Sequence, residues 1–241
     1  NNHNLFTIGI VNVVDSLIAR EVECGCYLHA GREVAVASTK SFTSQCVLLT
    51  MVAIWFSQIQ ESTVRKNLQR KHIIADIRKL ATDIEDTIRL SAPKMKEYTK
   101  HFMDYPSCFV LGKGRSEAIA HEASLKIKEI SYIHAEGYST SSLKHGPFAL
   151  LHEGFPVIMI MPNDEHYVKA ENAYEEVKSR HACVIRISDK RDACELPLPE
   201  NKTFASLLGI IPIQLLSYEL SVVKGYNPDM PRNLAKVVTV E

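Results

Sequence analysis

The sequence lacks the features that mark several functional classes. Across 241 residues, 28 basic side chains balance 28 acidic ones, so no basic surface for nucleic acid or for a membrane is indicated. None of the six cysteines belongs to a C-x-x-C pair of the kind that binds zinc. Nothing resembles a secretion signal, which predicts free thiols and a cytoplasmic location. We therefore expect no metal, no cofactor, no nucleic-acid partner and no membrane partner.

Long apolar runs are also scarce. The most apolar stretch, residues 46–56, is far shorter than the ~20 residues that span a bilayer, so it predicts a buried helix. The apolar share of 46% and the charged share of 23% are typical of a soluble globular protein. A chain of this length can form one large domain or two of moderate size.

What the sequence does contain is an alternation of short apolar strands with helices. Strands are predicted at residues 5–11, 24–29, 107–111, 156–161, 183–187 and 194–198. Helices are predicted at residues 16–21, after Lys40, from Ser116 or Glu117 onward, and at 165–179 and 203–224. This order predicts an α/β fold of three-layer units with parallel sheets.

The segment 61–104 differs in character and predicts a domain boundary. Its apolar residues recur at helical spacing, and its first 40 residues hold no glycine. We therefore predict bridging helices over 61–104, one globular unit at 1–60 and another at 105–225. The remaining residues, 226–241, contain two prolines that end any helix and form a separate tail.

Two helix starts have the composition of a phosphate site. Ser38 and Thr39 precede a predicted helix, where they could either cap its first turn or line an anion site; both interpretations are equally supported. Gly112-x-Gly114 forms a glycine turn between a strand and a helix, which is the arrangement that cradles phosphates. It lacks the third glycine of a dinucleotide fingerprint.

The stretch Leu125–Pro147 holds the groups needed for proton transfer. Lys126 and Glu129 are three residues apart and so share one helix face. His145 precedes Gly-Pro, which places it on a loop. A carboxylate, a cation and an imidazole can together move protons on a sugar. The alternative, a solvated helix face followed by an ordinary loop, is the commoner explanation of such residues taken alone.

Lys236 stands in an otherwise apolar tail. Desolvation lowers the pKa of a lysine and makes its amine nucleophilic enough to form a Schiff base with a carbonyl. The alternative is a lysine that extends into solvent from a frayed terminus, and composition alone favours it.

Four stretches, taken together and in this order, resemble one family. They are NVVDSLIARE (12–21), HAGREVAVASTKSFTSQ (29–45), LKIKEISYIHAEGYSTSSLKHGP (125–147) and DMPRNLAKVVTVE (229–241). The family is the isomerase portion of the glutamine–fructose-6-phosphate aminotransferases. The resemblance implies two flavodoxin-like sugar-isomerase (SIS) domains, of which the first is incomplete here, so that residues 1–60 are its C-terminal half and residues 105–225 form the second. It also implies a partner that this chain does not contain, an N-terminal glutaminase domain.

The resemblance further implies a reaction: fructose 6-phosphate and ammonia from glutamine give glucosamine 6-phosphate without a cofactor. Lys236 would form the Schiff base, Glu129 would move a proton between C1 and C2, and Lys126 would assist that transfer. His145 would open the sugar ring from across a homodimer interface. The substrate pocket would be lined by Val36, Ser38 and Ala235.

The sequence departs from the family pattern, and one departure, a missing loop, bears on phosphate binding. No Ser-Gln-Ser-Gly-Glu-Thr loop is present, and Ser142 stands where the family usually has Glu. Asp15 replaces a typical Gly, and Val237 replaces a common Ser. Two alternatives therefore stay open: a non-catalytic SIS module that binds sugar phosphates for regulation, and a plain aldose–ketose phosphate isomerase that never uses ammonia.

Overall fold

A computed structural model describes residues 5–59 and 64–235, which belong to two compact units. The first unit comprises the described residues up to His72 together with Ala235, and the second comprises Ile73–Leu234. The division falls inside one long helix, α3 (Val64–Tyr98). Lys236 and the residues that follow it lie outside the described part of the chain.

The first unit contains a small parallel sheet. Strands β1 (Ile8–Val11) and β2 (Cys24–Tyr27) pair in parallel, and helix α1 (Leu17–Glu21) connects them. Asp15, which replaces a glycine of the family pattern, has a φ of 58°. Asp tolerates this left-handed conformation better than most side chains, which explains how the replacement is accommodated.

Helix α2 (Lys40–Ile59) contradicts the prediction of a buried helix, because none of its residues is buried. Trp55 and Phe56 are about half exposed. The prediction was wrong because burial requires neighbouring elements, and those described in this unit do not cover α2. By length and composition α2 and the run 205–223 could cross a membrane, but most of the second run is buried, as in the core helices of soluble proteins.

The second unit is built on a five-stranded parallel sheet in the order β4-β3-β5-β6-β7. Its strands are β3 (Ser107–Gly112), β4 (His134–Ser139), β5 (Pro156–Ile160), β6 (Cys183–Ser188) and β7 (Leu196–Pro197). Numbered within the unit, this is the order 2-1-3-4-5 of flavodoxin-like folds. The predicted fold class is confirmed.

Helices cover both faces of this sheet. They are α4 (Arg115–Ser131), α5 (Tyr167–Lys178), α6 (Ala205–Leu208) and α7 (Ile210–Val223). On one face, α5 packs over Phe109, Leu111, Val157 and Met159, all fully buried. Alternate strand residues point to the opposite face, where α4 packs on β3 and β4 and against α7. This fixed position of α4 determines where its polar side chains lie.

Candidate active site

The two charged residues predicted to share a helix face do meet near the end of α4. Lys126 Nζ lies 2.7 Å from Glu129 Oε2 and 3.3 Å from Glu122 Oε1. Lys126 is only 4% exposed, and a lysine is rarely so buried without an acidic partner. Glu122 was not predicted, although its position one turn before Lys126 on the same face could have identified it.

A second feature of this cluster is the position of one carboxylate oxygen. Glu129 Oε2 is buried and lies 2.7 Å from Lys126 Nζ as an ion-pair partner, and no other group among the described residues donates a hydrogen bond to it. Two carboxylates facing one ammonium group leave the cluster with a net negative charge. A buried ion pair is weak grounds for stability, because desolvation offsets most of its attraction. A carboxylate next to an ammonium group is an arrangement that proton transfer on a sugar can use, with the cation stabilising negative charge on the substrate.

His145 lies at the opposite end of the same sheet. It ends a short 3-10 turn, Leu143–His145, that follows the carboxyl end of β4, and its side chain is exposed. Helix α4 starts at the carboxyl edge of the sheet and runs antiparallel to the strands, toward the amino edge. Glu129 follows the first residue of α4 by 14 positions, so at 1.5 Å per residue it lies about 20 Å from the carboxyl edge. Within one chain, Glu129 and His145 therefore occupy opposite edges of the sheet.

Ser38 belongs to the first unit, where it faces a carboxylate. Its hydroxyl lies 2.8 Å from Ser41 Oγ and 3.4 Å from Glu33 Oε2. Glu33 Oε1 also accepts the backbone N–H groups of Thr39, at 2.9 Å, and of Ser41, at 3.2 Å. The cap predicted from Ser38 and Thr39 is thus supplied by Glu33, an anion at the start of α2. Sequence reasoning missed Glu33 because it reaches this position through a loop.

The other predicted pocket residues have these positions. Val36 is half-buried in the same loop as Ser38, and Ala235 is exposed at the end of the described chain. Val36, Ser38 and Ala235 all belong to the first unit, whereas Lys126, Glu129 and His145 belong to the second. Lys236, the predicted nucleophile, lies outside the described residues.

In the Gly112-x-Gly114 turn, the backbone requires glycine at both positions. A Cβ on Gly112 would lie 2.1 Å from the carbonyl oxygen of Ser116, and Gly114 has a φ of +59° and packs on the ring of His166. Arg115, the residue after the turn, lines a cavity of about 220 Å³ at the carboxyl edge of the sheet. The cavity's charged lining is mixed, with Arg115, Lys202, Asp164, Glu165, His166 and Asp189. This mixture does not select an anion.

Metal-ligating side chains and thiols are the other reactive groups to place in the described part of the chain. Residues 5–59 and 64–235 contain no group of three His, Cys, Asp or Glu side chains that could hold a metal. All six cysteines are free. Burial raises the pKa of Cys108 to about 12, so this thiol stays protonated and unreactive at neutral pH.

Comparison with known proteins agrees with the geometry. Residues 101–194 match the SIS domain family. A probable glutamine–fructose-6-phosphate aminotransferase (isomerizing) of Acanthamoeba polyphaga mimivirus is 47% identical over 244 residues, covering 99% of this chain and 39% of the relative. The chain thus spans about two fifths of the length of this relative.

Solved structures extend the likeness to the fold. The C-terminal domain of glucosamine-fructose-6-phosphate aminotransferase from Francisella tularensis has a TM-score of 0.85 and 31% identity, covering 93% of this chain and 64% of that chain. A glucosamine-6-phosphate deaminase from Thermotoga maritima has a TM-score of 0.75 and 26% identity, covering 97% and 66% respectively. The predicted resemblance is confirmed.

Proposed function

Since the chain carries a SIS domain and resembles the isomerase portion of the glutamine–fructose-6-phosphate aminotransferases, we propose that it forms the sugar-converting part of such an enzyme. Its substrate is fructose 6-phosphate, its nitrogen source is ammonia released from glutamine by a separate glutaminase domain, and its product is glucosamine 6-phosphate. One observation carries the proposal: the ion pair between the buried Lys126 and the half-buried Glu129, whose atoms Nζ and Oε2 are 2.7 Å apart.

The pair provides what the isomerisation step requires. After ammonia has formed an imine at C2, Glu129 takes a proton from C1 and returns it to C2, while the hydroxyl proton of O1 is transferred to the nitrogen. The step is an isomerisation, because the ketose imine and the aldose amine have the same atomic composition. Lys126 stabilises the negative charge that develops on the sugar between the two transfers. Burial strengthens this interaction, since water screens it less.

Lys236 prepares the substrate for ammonia. Its amine condenses with the C2 ketone and expels water, and ammonia then displaces the lysine from the resulting Schiff base. This role rests on the tail sequence PRNLAK and on the resemblance, since Lys236 is outside the described residues. His145 would assist ring opening, a step that needs an acid and base near neutral pH.

The separation of Glu129 from His145 supports a homodimer. Two side chains about 20 Å apart along one sheet cannot both touch the reacting end of one sugar. A second copy of the chain would bring its His145 to the Glu129 of the first. A two-fold dimer would then contain two equivalent sites, each with residues from both chains.

Reduction with borohydride tests the lysine step. The chain is joined to the upstream residues of the mimivirus relative, supplied with fructose 6-phosphate without ammonia, and reduced. We expect a covalent adduct on Lys236 by mass spectrometry and none in Lys236→Arg, which keeps the charge but cannot form the Schiff base. An adduct on another lysine, or none on any, would overturn the mechanism. Binding of the sugar phosphate without turnover would favour the regulatory module instead.

Mixed dimers test the shared site. Glu129→Gln and His145→Ala chains are each expected to be inactive with ammonia as nitrogen donor. When they are coexpressed, half of the dimers are mixed and each holds one intact site, so about a quarter of wild-type activity should return. No recovery from a mixture shown to contain mixed dimers would contradict the cross-chain role of His145.

A further inference from the structure

Tyr132, immediately after α4, makes three contacts with the chain segment that leads to the tail. Its hydroxyl accepts the backbone N–H of Arg232 at 2.9 Å. The guanidinium carbon of Arg232 lies 4.2 Å from the centre of the tyrosine ring. The ring of Tyr226 lies 4.7 Å away, at an interplanar angle of 52°. One side chain therefore holds two points of the segment 226–232 against the end of α4.

The backbone of Tyr132 adopts a conformation that is unfavourable for an aromatic residue, which indicates that its side-chain contacts matter. It ends α4 with φ 58° and ψ 19°, a left-handed conformation. Glycine is the favoured residue at such a helix end, and a bulky aromatic residue is strained there. Such strain persists only where the surroundings or the function compensate for it. The contacts to Arg232 and Tyr226 supply that compensation.

The contacts lie close in sequence to the two groups proposed to act on the sugar. Tyr132 follows Glu129 by three residues, and Arg232 precedes Lys236 by four. Four residues span at most about 14 Å, so fixing Arg232 limits the volume that the lysine can search. Holding a reacting group near its target raises the rate by lowering the entropy lost on reaction.

We propose that Tyr132 is a positioning residue that clamps the segment 226–232 to the end of α4 and thereby sets the starting point of the catalytic tail. The clamp itself depends only on described residues. Its effect on chemistry rests on the proposed function, because that function identifies Lys236 as the nucleophile. Tyr132 does not touch the substrate in this proposal, and it acts through the tail.

Hydrogen exchange of the Arg232 amide tests the clamp without any reaction. Tyr132→Phe keeps the ring and removes the oxygen that accepts this N–H. We expect exchange at Arg232 to become about tenfold faster, while the amides within α4 keep their rates. Unchanged exchange at Arg232 would overturn the clamp.

A glycine variant separates positioning from stability. Tyr132→Gly removes the contacts of the clamp together with the left-handed strain that they offset, so the thermal midpoint should change little while the initial rate of borohydride-trapped adduct on Lys236 falls about tenfold. His181→Gly is the matched control, because His181 also has a positive φ, 60°, but belongs to a loop after α5. It should leave the adduct rate unchanged.

The outcomes distinguish the two proposals. A wild-type rate of adduct formation in Tyr132→Gly would overturn the positioning role. An equal loss in both glycine variants would also overturn it, because it would reflect a general effect of glycine. If the wild-type chain forms no adduct on Lys236, the proposed lysine chemistry fails, and the exchange measurement still decides whether the clamp exists.

Discussion

The two units of this chain use similar elements with different results. Helices α2 and α7 are both long and apolar, yet no residue of α2 is buried, whereas eight of the 14 residues of α7 are buried. In the first unit, Gly9 and Ala37 are the only buried residues among those described. Apolar sequence therefore does not guarantee a core, because each apolar face also needs a neighbouring layer.

The largest expected effect comes from emptying the core of the second unit. Phe109 is fully buried beside the rings of Phe155 and Tyr138. Phe109→Ala should lower the free energy of unfolding by about 3–5 kcal/mol, measured by urea titration. Phe56→Ala on α2, where Phe56 is 45% exposed, is the matched control and should change it by less than about 1 kcal/mol. Equal losses would mean that α2 is covered in solution.

The buried charge cluster of the second unit should give the next largest effect. Lys126→Met keeps the apolar stem but leaves Glu122 and Glu129 facing each other without a cation. We expect the free energy of unfolding to fall by about 2–3 kcal/mol at pH 7, because one partner of a buried ion pair has been removed. Lys128→Met, at an exposed position of the same helix, should leave it nearly unchanged. If Lys126→Met leaves the free energy of unfolding unchanged, solvent must reach the carboxylates of Glu122 and Glu129.

An ion pair in the second unit should make stability depend on pH. Arg186, on β6, donates to both carboxylate oxygens of Glu195, the residue before β7, at 2.7 and 3.0 Å. Burial acts to raise the pKa of Glu195, but the hydrogen bonds and charge of Arg186 outweigh it and hold that pKa below its ordinary value of 4.5. The pair thus stabilises the fold above pH 4.5, and this contribution is lost as the pH falls through the lower folded pKa.

The variant Glu195→Gln tests this dependence. It should lower the free energy of unfolding by about 1 kcal/mol at pH 7, after allowing for partial exposure of the pair. The loss should shrink toward zero in urea titrations at progressively lower pH. If the loss in free energy of unfolding is the same at the highest and the lowest pH, the shape of the Glu195 side chain matters and its charge does not.

Glu23, an exposed residue of the first unit, also has a lowered pKa, because its carboxylate accepts hydrogen bonds from the hydroxyl and the backbone N–H of Thr7.

The smallest expected effect lies at the start of α2. Glu33→Gln replaces the carboxylate that accepts the N–H groups of Thr39 and Ser41. Both N–H groups are accepted by the single oxygen Oε1, which the amide retains, so Gln loses only the negative charge and the second acceptor oxygen. Helix content measured by circular dichroism should therefore fall only slightly, at a cost of about 0.5–1 kcal/mol. Ser38→Ala, which keeps the carboxylate, should cost less. A larger cost for Ser38→Ala than for Glu33→Gln would show that Ser38 is the main cap of α2.

The features predicted from the sequence are those that depend on local spacing. Alternating strands and helices gave the parallel α/β class, and the i, i+3 spacing gave the meeting of Lys126 and Glu129. The exposure of α2 could not be predicted, since it depends on which layers cover the helix. The anion at the start of α2 was missed because Glu33 acts across a loop of several residues.

The position of His145 is a second feature that spacing along the sequence could not predict. The sequence placed it on a loop 16 residues after Glu129, which suggests proximity. The parallel sheet separates the two, because β4 lies between them and carries the chain to the opposite edge. Only the topology shows that Glu129 and His145 of one chain lie at opposite edges of the sheet. The four-segment division of the chain into domains stays a prediction.

The most direct test of the proposed chemistry is the turnover of Glu129→Gln with ammonia and fructose 6-phosphate, compared with Lys128→Met on the same helix. We predict that Glu129→Gln still forms the borohydride-trapped adduct on Lys236 but makes glucosamine 6-phosphate about 10²–10⁴-fold more slowly, because the base for proton transfer is gone. Lys128→Met should match the wild type in both assays. Wild-type turnover in Glu129→Gln would contradict the central claim that the buried pair on α4 moves the proton.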